Sequence, residues 1–276
     1  KEKGETVGVY FENSSGEFLF LSGLGLSKNK CDIGFAEEVR MVYAATNRIL
    51  ARYGFHPKNI YRFWNFMENI LGNYAKNYSF FNNARNEYFR KFGITDYPAA
   101  TGIEAKLPGE GKFSLSLEAM KKKKGSDIKV ETMHSDLQCE AWQYKKLGAA
   151  KYGPKFSRAK LITHNSEGIK KIFVSGTSSI DRKGRSILCD KNKEKENIEY
   201  VISCVDHLLA NSGAGFENIV MSRVYTKNGK VRKIFEKIYS EKGWIFPSNF
   251  LKTSVCRDNL IFEIECIAAG NKKNID

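Results

Sequence analysis

The feature that most limits how this chain can fold is a plan that occurs twice along it. Phe18-Leu-Phe-Leu runs into Ser22-Gly23, and Lys171-Ile-Phe-Val runs into Ser175-Gly176. After each pair comes a stretch with apolar residues at helical spacing. In residues 35–53, Val39, Val42, Tyr43, Thr46, Ile49 and Leu50 share one side, and Gly54 stands where a helix would stop. A matching helix is expected over about 196–211, with Gly213 in the same place. Asn59-Ile60 and Asn218-Ile219 then open further strands. Strand, Ser-Gly, helix, Gly and Asn-Ile in one repeated order imply duplication of a β-β-α-β type unit. The expected fold class is therefore α+β: two tandem units with mixed sheets and helices packed on one face. We divide them at residues 1–135 and 136–276. The segment 106–135, lysine- and glycine-rich around Phe113-Ser-Leu-Ser-Leu117, is expected to hold one strand and the link. Each unit closes with a second helix and a further strand: 80–92 and 99–104 in the first, 231–242 and 260–268 in the second.

The last of these strands carries chemistry. Side chains alternate across a strand, so Leu260, Phe262, Ile264 and Cys266 share one face. Ile261, Glu263, Glu265 and Ile267 share the other. Two carboxyls set between aliphatic neighbours form a candidate proton donor, because burial raises a carboxyl pKa and a second acid nearby raises it further. On an edge strand the same pair would sit in solvent.

Composition narrows the alternatives. No apolar run approaches the roughly 20 residues of a membrane helix, and no signal-peptide pattern is present. The six cysteines and four histidines show no metal-ligand spacing, so no metal or cofactor is expected. Cys31, Cys139, Cys189, Cys204 and Cys266 read as structural residues of a reduced, cytoplasmic protein. The net charge of +14 would suit nucleic acid. The densest run, Lys121 to Lys124, leads into a loop-like Gly-Ser-Asp, however, and no nucleic-acid-binding motif is present. A solvated lysine-rich surface accounts for most of the charge, and a few arginines among aromatics suit a small anion.

Five segments carry a family resemblance: Arg62-Phe-Trp-Asn-Phe66, Phe81-Asn-Asn-Ala-Arg85, Tyr152-Gly-Pro154 running to Phe156-Ser-Arg158-Ala159, Ser175-Gly-Thr-Ser-Ser-Ile180, and Cys256-Arg-x-x-Leu260-x-x-Glu263-Ile-Glu265. The repeated unit resembles the Rid (YjgF) fold, a chorismate-mutase-like β-α unit. The whole chain is similar to the chorismatases, two-domain relatives that cleave chorismate to pyruvate and a cyclic acid without a cofactor. The resemblance implies that Glu263 protonates the enolpyruvyl methylene. It implies that Arg85 and Arg158 bind the two carboxylates and that Tyr152 or Tyr144 lines the pocket. The backbone from Thr177 and Ser178 onward is expected to touch the ligand. Cys256, seven residues before the glutamate, goes with formation of 3-hydroxybenzoate; alanine there goes with hydrolysis to a dihydrodiol acid. The loop Asp181-Arg-Lys-Gly-Arg185 looks more like that of an ordinary Rid protein. This leaves a 2-iminoacid deaminase as an alternative, although Phe250-Leu-Lys-Thr-Ser254 lacks the arginine such enzymes carry. A non-catalytic protein binding a small acid or RNA is a further one. The expected partner is the small-molecule substrate, not a membrane or nucleic acid, and the oligomeric state is left as monomer or trimer.

Overall fold

The computed structural model describes residues 7–26, 33–107, 111–144 and 152–271; Cys31 lies outside them. The first unit runs β1 (Gly8–Glu12), β2 (Gly16–Gly25), α1 (Phe35–Arg52), β3 (Ile60–Met67), α2 (Gly72–Lys91), β4 (Ala99–Glu104) and β5 (Phe113–Lys122). The second runs β6 (Ile128–Met133), β7 (Ala159–His164), β8 (Ile169–Ser178), α3 (Glu194–Asn211), β9 (Ile219–Thr226), α4 (Gly229–Glu241), β10 (Ser248–Lys252) and β11 (Phe262–Asn271). The strands form two mixed sheets, ordered β1-β2-β5-β3-β4 and β10-β9-β11-β8-β7-β6. In each, a single parallel pair, β3 with β4 and β9 with β10, accompanies antiparallel neighbours.

Each repeated landmark has a local physical reason. Ser22-Gly23 and Ser175-Gly176 are β-bulges, where two residues of β2 or β8 face one residue of β5 or β11. Gly54 and Gly213 take φ of 69° and 73°, the left-handed turn that ends a helix most cheaply without a Cβ. Asn59 and Asn218 close a short 3₁₀ turn, their side chains accepting from the backbone N–H of His56 and Gly215 at 2.7 and 2.8 Å. On α1, Val39, Val42, Tyr43, Thr46 and Leu50 are buried, and on α3 Ile198, Val201, Val205, Leu208 and Leu209. These helical stripes cover one face of each sheet, as the periodicity predicts.

Three expectations need correction. The counterpart of the acidic strand β11 is β5, not β4; β4 corresponds to β10, the parallel edge strand. At the positions matching Glu263 and Glu265 the first unit carries Ser114 and Ser116, so only the second unit holds the acids. The segment 106–135 contains two strands, and the second, β6, pairs with β7 in the second sheet. We therefore place the junction of the units within 123–127 instead of at 135. Finally, α2 begins eight residues before the expected start at Phe80.

The uncovered faces of the two sheets pack against each other. Tyr61, Ala99 and Met120 from the first meet Ile128 and Phe173 from the second, with Phe18, Ile162 and Ile267 alongside. The face of β11 that carries Glu263 and Glu265 thus points into the seam between the units and not into solvent.

Candidate active site

On β11, Phe262, Ile264 and Cys266 point into the core under α3 and α4. Alternation then turns Glu263 and Glu265 the other way, and both are buried, with 4% and 0% exposure. The β8 bulge shapes the ground in front of them. A Cβ on Gly176 would fall within 2.2 Å of Glu263 Oε1, so the carboxyl lies where a side chain would otherwise be. Ser175, the other bulge residue, donates to the Ser157 carbonyl at 2.6 Å and accepts from the Ala100 N–H at 2.9 Å. The Gly176 N–H donates to Thr101 Oγ1 at 3.1 Å. The bulge therefore stitches β8 to β4 of the first unit.

The two acids have opposite environments. Glu265 accepts five hydrogen bonds. Oε1 takes Arg223 Nη1 at 2.9 Å and the Tyr225 hydroxyl at 2.7 Å, both from β9. Oε2 takes Trp64 Nε1 at 2.9 Å together with Arg62 Nη2 and the Thr101 hydroxyl, all from the first unit. Burial opposes its charge, but the two guanidiniums and the hydrogen bonds outweigh that and hold its pKa below the usual carboxylate value. Among the described residues Glu263 has no ion-pair partner. Burial, with the neighbouring Glu265 charge adding, pushes it up to about 7, against the lowering effect of its bond to Ser178. The Ser178 hydroxyl lies 2.9 Å from both Glu263 Oε2 and the Phe262 carbonyl. A hydroxyl has one hydrogen and the carbonyl can only accept. Both contacts are satisfied at once when Glu263 carries its proton and donates to Ser178.

A narrow cavity of about 30 Å³ opens in front of Glu263. Tyr78, Phe81 and Arg85 of α2 form one wall, and Phe156, Gly176 and Cys256 complete it. Arg85 is 3% exposed. Its Nη2 donates to Asn82 at 2.6 Å, its guanidinium stacks on Phe81 at 4.6 Å, and its Nε has no partner. Among the described residues no carboxylate pairs with it. The Cys256 thiol faces Glu263 and is pushed up to about 11, first by burial and then by that carboxyl, so it stays protonated at neutral pH.

The other expected site residues fall into two groups. Arg158, buried at the start of β7, donates from Nε to the Cys139 carbonyl at 3.1 Å and from Nη2 to the same carbonyl and to the Tyr144 hydroxyl. Neither residue lines the cavity; Tyr144, held by this arginine, packs in the cluster that backs its wall residues Phe156 and Cys256. Thr177 is buried with its hydroxyl on the Ser175 carbonyl, and Ser178 reaches the site through Glu263. Tyr152 lies elsewhere, its hydroxyl 3.2 Å from Arg90 in a surface groove with Arg40 and Glu87. Three residues that sequence reasoning had not singled out complete the arrangement: Thr101, Arg223 and Tyr225. Their only sequence signal is alternation on β4 and β9, which does not say that they converge on Glu265. No cluster of three or more His, Cys, Asp or Glu side chains suited to a metal occurs among the described residues, and no helix there is long and apolar enough to cross a membrane.

Comparison with known proteins agrees with this architecture. Residues 2–113 match the family model described as chorismatase FkbO/Hyg5-like, N-terminal. A chorismatase crystal structure superposes with a TM-score of 0.73 at 17% identity, covering 96% of this chain and 78% of the other. Single-unit proteins match about half of the chain. Yeast Mmf1 is 20% identical over 51% of this chain and 98% of its own, with a TM-score of 0.38. RidA from an Antarctic Psychrobacter is 12% identical over 50% and 98%, with a TM-score of 0.36. No curated protein matches the chain. The chain thus resembles the chorismatases twice over: it has their fold along nearly its whole length, and residues 2–113 carry their amino-terminal family signature.

Proposed function

We propose that this protein is a cofactor-independent chorismatase that converts chorismate to pyruvate and 3-hydroxybenzoate. The observation that carries this reading is the pairing, in one cavity, of a buried carboxyl poised to hold a proton near neutrality with a buried arginine that has no acid of its own. Chorismate is a dianion with an enol ether. Arg85 holds one carboxylate, and an arginine of the second unit holds the other, which fixes the ether before Glu263. Glu263 then protonates the enolpyruvyl methylene as general acid, giving an oxocarbenium ion. The ring C3–O bond breaks to release pyruvate as the C4 hydroxyl oxygen bonds to C3 and returns its proton to Glu263. Opening of that epoxide at C4 with loss of the C3 proton leaves 3-hydroxybenzoate. The cavity of about 30 Å³ must widen to admit the substrate. The five described cysteines are free thiols, which suits a reducing, cytoplasmic setting.

The two ring products differ by one water. Chorismate is the sum of pyruvate and hydroxybenzoate, whereas the dihydrodiol acid requires water to be added. A protonated Cys256 at the cavity wall excludes water and offers a soft donor to the ring. The test is incubation with chorismate, with pyruvate assayed enzymatically and the ring product identified by chromatography and mass. We expect 3-hydroxybenzoate from the wild-type protein and a shift toward the dihydrodiol acid in Cys256→Ala. An unchanged product in that variant would remove Cys256 from the product decision, and absence of pyruvate would overturn the reading.

The pH profile follows from the same carboxyl. The acid must be protonated, and its pKa is raised to about 7. The active form is therefore complete below that value and lost above it, so kcat/KM should fall about tenfold per pH unit once pH passes about 7. A profile flat from pH 6 to 9 would exclude Glu263 as the acid.

A further inference from the structure

Of three guanidiniums without an ion-pair partner among the described residues, Arg85 lines the cavity, Arg158 stacks at 5.8 Å on Phe156 of its wall and Arg257 follows Cys256 of that wall; what each still offers differs. Arg158 has committed the edge formed by Nε and Nη2 to the Cys139 carbonyl, with Nη2 also on Tyr144. Arg85 has given Nη2 to Asn82. Arg257 uses only Nη1, on the Gly184 carbonyl and the Ser186 hydroxyl, each at 3.0 Å. Its Nε and Nη2 are buried and have no partner. These two N–H groups lie side by side and point the same way, the edge that takes both oxygens of one carboxylate in parallel bonds.

Arg257 does not itself line the cavity but stands directly behind its wall. Cys256, the preceding residue, lines that cavity. The Tyr144 ring lies between two cations, 5.2 Å from the Arg257 guanidinium and 5.5 Å from that of Arg158. The loop that holds Arg257 is itself fastened. The Lys183 and Arg185 N–H groups donate to Asp181 Oδ1 at 2.8 and 2.9 Å, and the Arg185 side chain closes on Oδ2. Arg257 is thus held by a hydrogen-bonded turn, and the ring beside it, Tyr144, is tied by its hydroxyl only to Arg158 among the described residues.

We propose that Arg257, through its Nε and Nη2 edge, receives one carboxylate of the substrate when Tyr144 swings out from between the two guanidiniums, while Arg85 holds the other. In this arrangement Arg158 positions Tyr144 and the Cys139 carbonyl and does not itself clamp the ligand. The proposal rests on the reading of the substrate as a dianion, and its test separates the two.

The probes are chorismate and its two monomethyl esters, with binding measured by titration calorimetry in a Glu263→Gln background so that ligand is not consumed. Arg257→Gln should weaken chorismate roughly 10- to 100-fold, the range for a lost charge-assisted bond. It should weaken equally the ester that keeps the carboxylate Arg257 holds, and leave unchanged the ester that has lost it. Arg257→Lys, which keeps the charge but not the parallel edge, should show the same selective pattern to a smaller degree. Equal losses on all three ligands, no loss on any, or no binding of any before Arg257 is changed would overturn the proposal. Pyruvate release by the wild-type protein is read in parallel. If it is absent while the selective loss persists, the assignment of the reaction fails and the anion site stands.

Discussion

Glu263→Gln is expected to lower pyruvate release by about 10³-fold or more while leaving the protein folded and able to bind chorismate. Removal of a positioned general acid costs on the order of 10² to 10⁴ in rate, and the upper part of that range applies because no other titratable group of the cavity holds a suitable proton: Cys256 is raised to about 11. The same variant should be more stable than the wild type at alkaline pH. Glu263 has its folded pKa raised to about 7 from an ordinary 4.5, so between those values the native state binds more protons than the unfolded chain. Stability therefore falls as pH rises from 4.5 to about 7 and then levels off. A shift of this size corresponds to about 3 kcal/mol. Glutamine carries no charge to desolvate, so the difference in Tm between variant and wild type should grow from pH 4.5 to pH 7 and hold above it. A variant that loses activity and stability together at pH 8 would show Glu263 to be a structural residue.

Glu265→Ala should do the opposite, unfolding the protein more than it impairs any single step. Its carboxylate is the ion-pair partner of Arg62, which is 2% exposed and reaches it through Nη2, and it also accepts from Trp64, Thr101, Arg223 and Tyr225. Removing one partner from a buried pair costs about 3–5 kcal/mol, because the other charge stays buried and uncompensated. Against a total stability on the order of 5–15 kcal/mol this is a large fraction, and a fall in Tm on the order of 10 °C is expected. Changing Arg62→Met and Glu265→Leu together should cost less than the two single losses added, since the fully buried Arg62 charge is no longer orphaned and Arg223, whose side chain is 34% exposed, keeps access to water. The conservative Glu265→Gln variant isolates the electrostatic link. It removes the neighbouring charge that helps raise Glu263, so the alkaline limb of the pH profile should move to lower pH. Wild-type stability in Glu265→Ala would show that the five hydrogen bonds do not hold the units together.

Much of this arrangement was legible in the order of residues, and what was not has identifiable causes. The Ser-Gly, Gly and Asn landmarks are visible because each meets a backbone need that few residues satisfy: a bulge, a left-handed turn and a capped 3₁₀ turn. The two faces of β11 follow from alternation alone. Its partner in the first unit was mistaken for β4 because β5 carries Ser114 and Ser116 where β11 has acids, so nothing marks the two strands as equivalent. Strand β6 alternates over only six residues within a lysine-rich stretch. The partners of Glu265 are drawn from residues 62 to 225, and no local pattern connects them. Arg257 sits within a recognised segment, but its free edge is a property of what Gly184 and Ser186 leave unused.

The seam around Glu265 also sorts inherited damage into two kinds. Arg62, Trp64 and Thr101 belong to the first unit, Arg223, Tyr225 and Glu265 to the second, and all meet at one carboxylate. A gene altered at any of these codons should betray itself as missing protein, cleared by cellular proteases before it can be assayed. One altered at Glu263 should accumulate normally and be silent. Abundance measured beside activity across a library of variants would therefore draw the border between scaffold and chemistry through two neighbouring positions of a single strand.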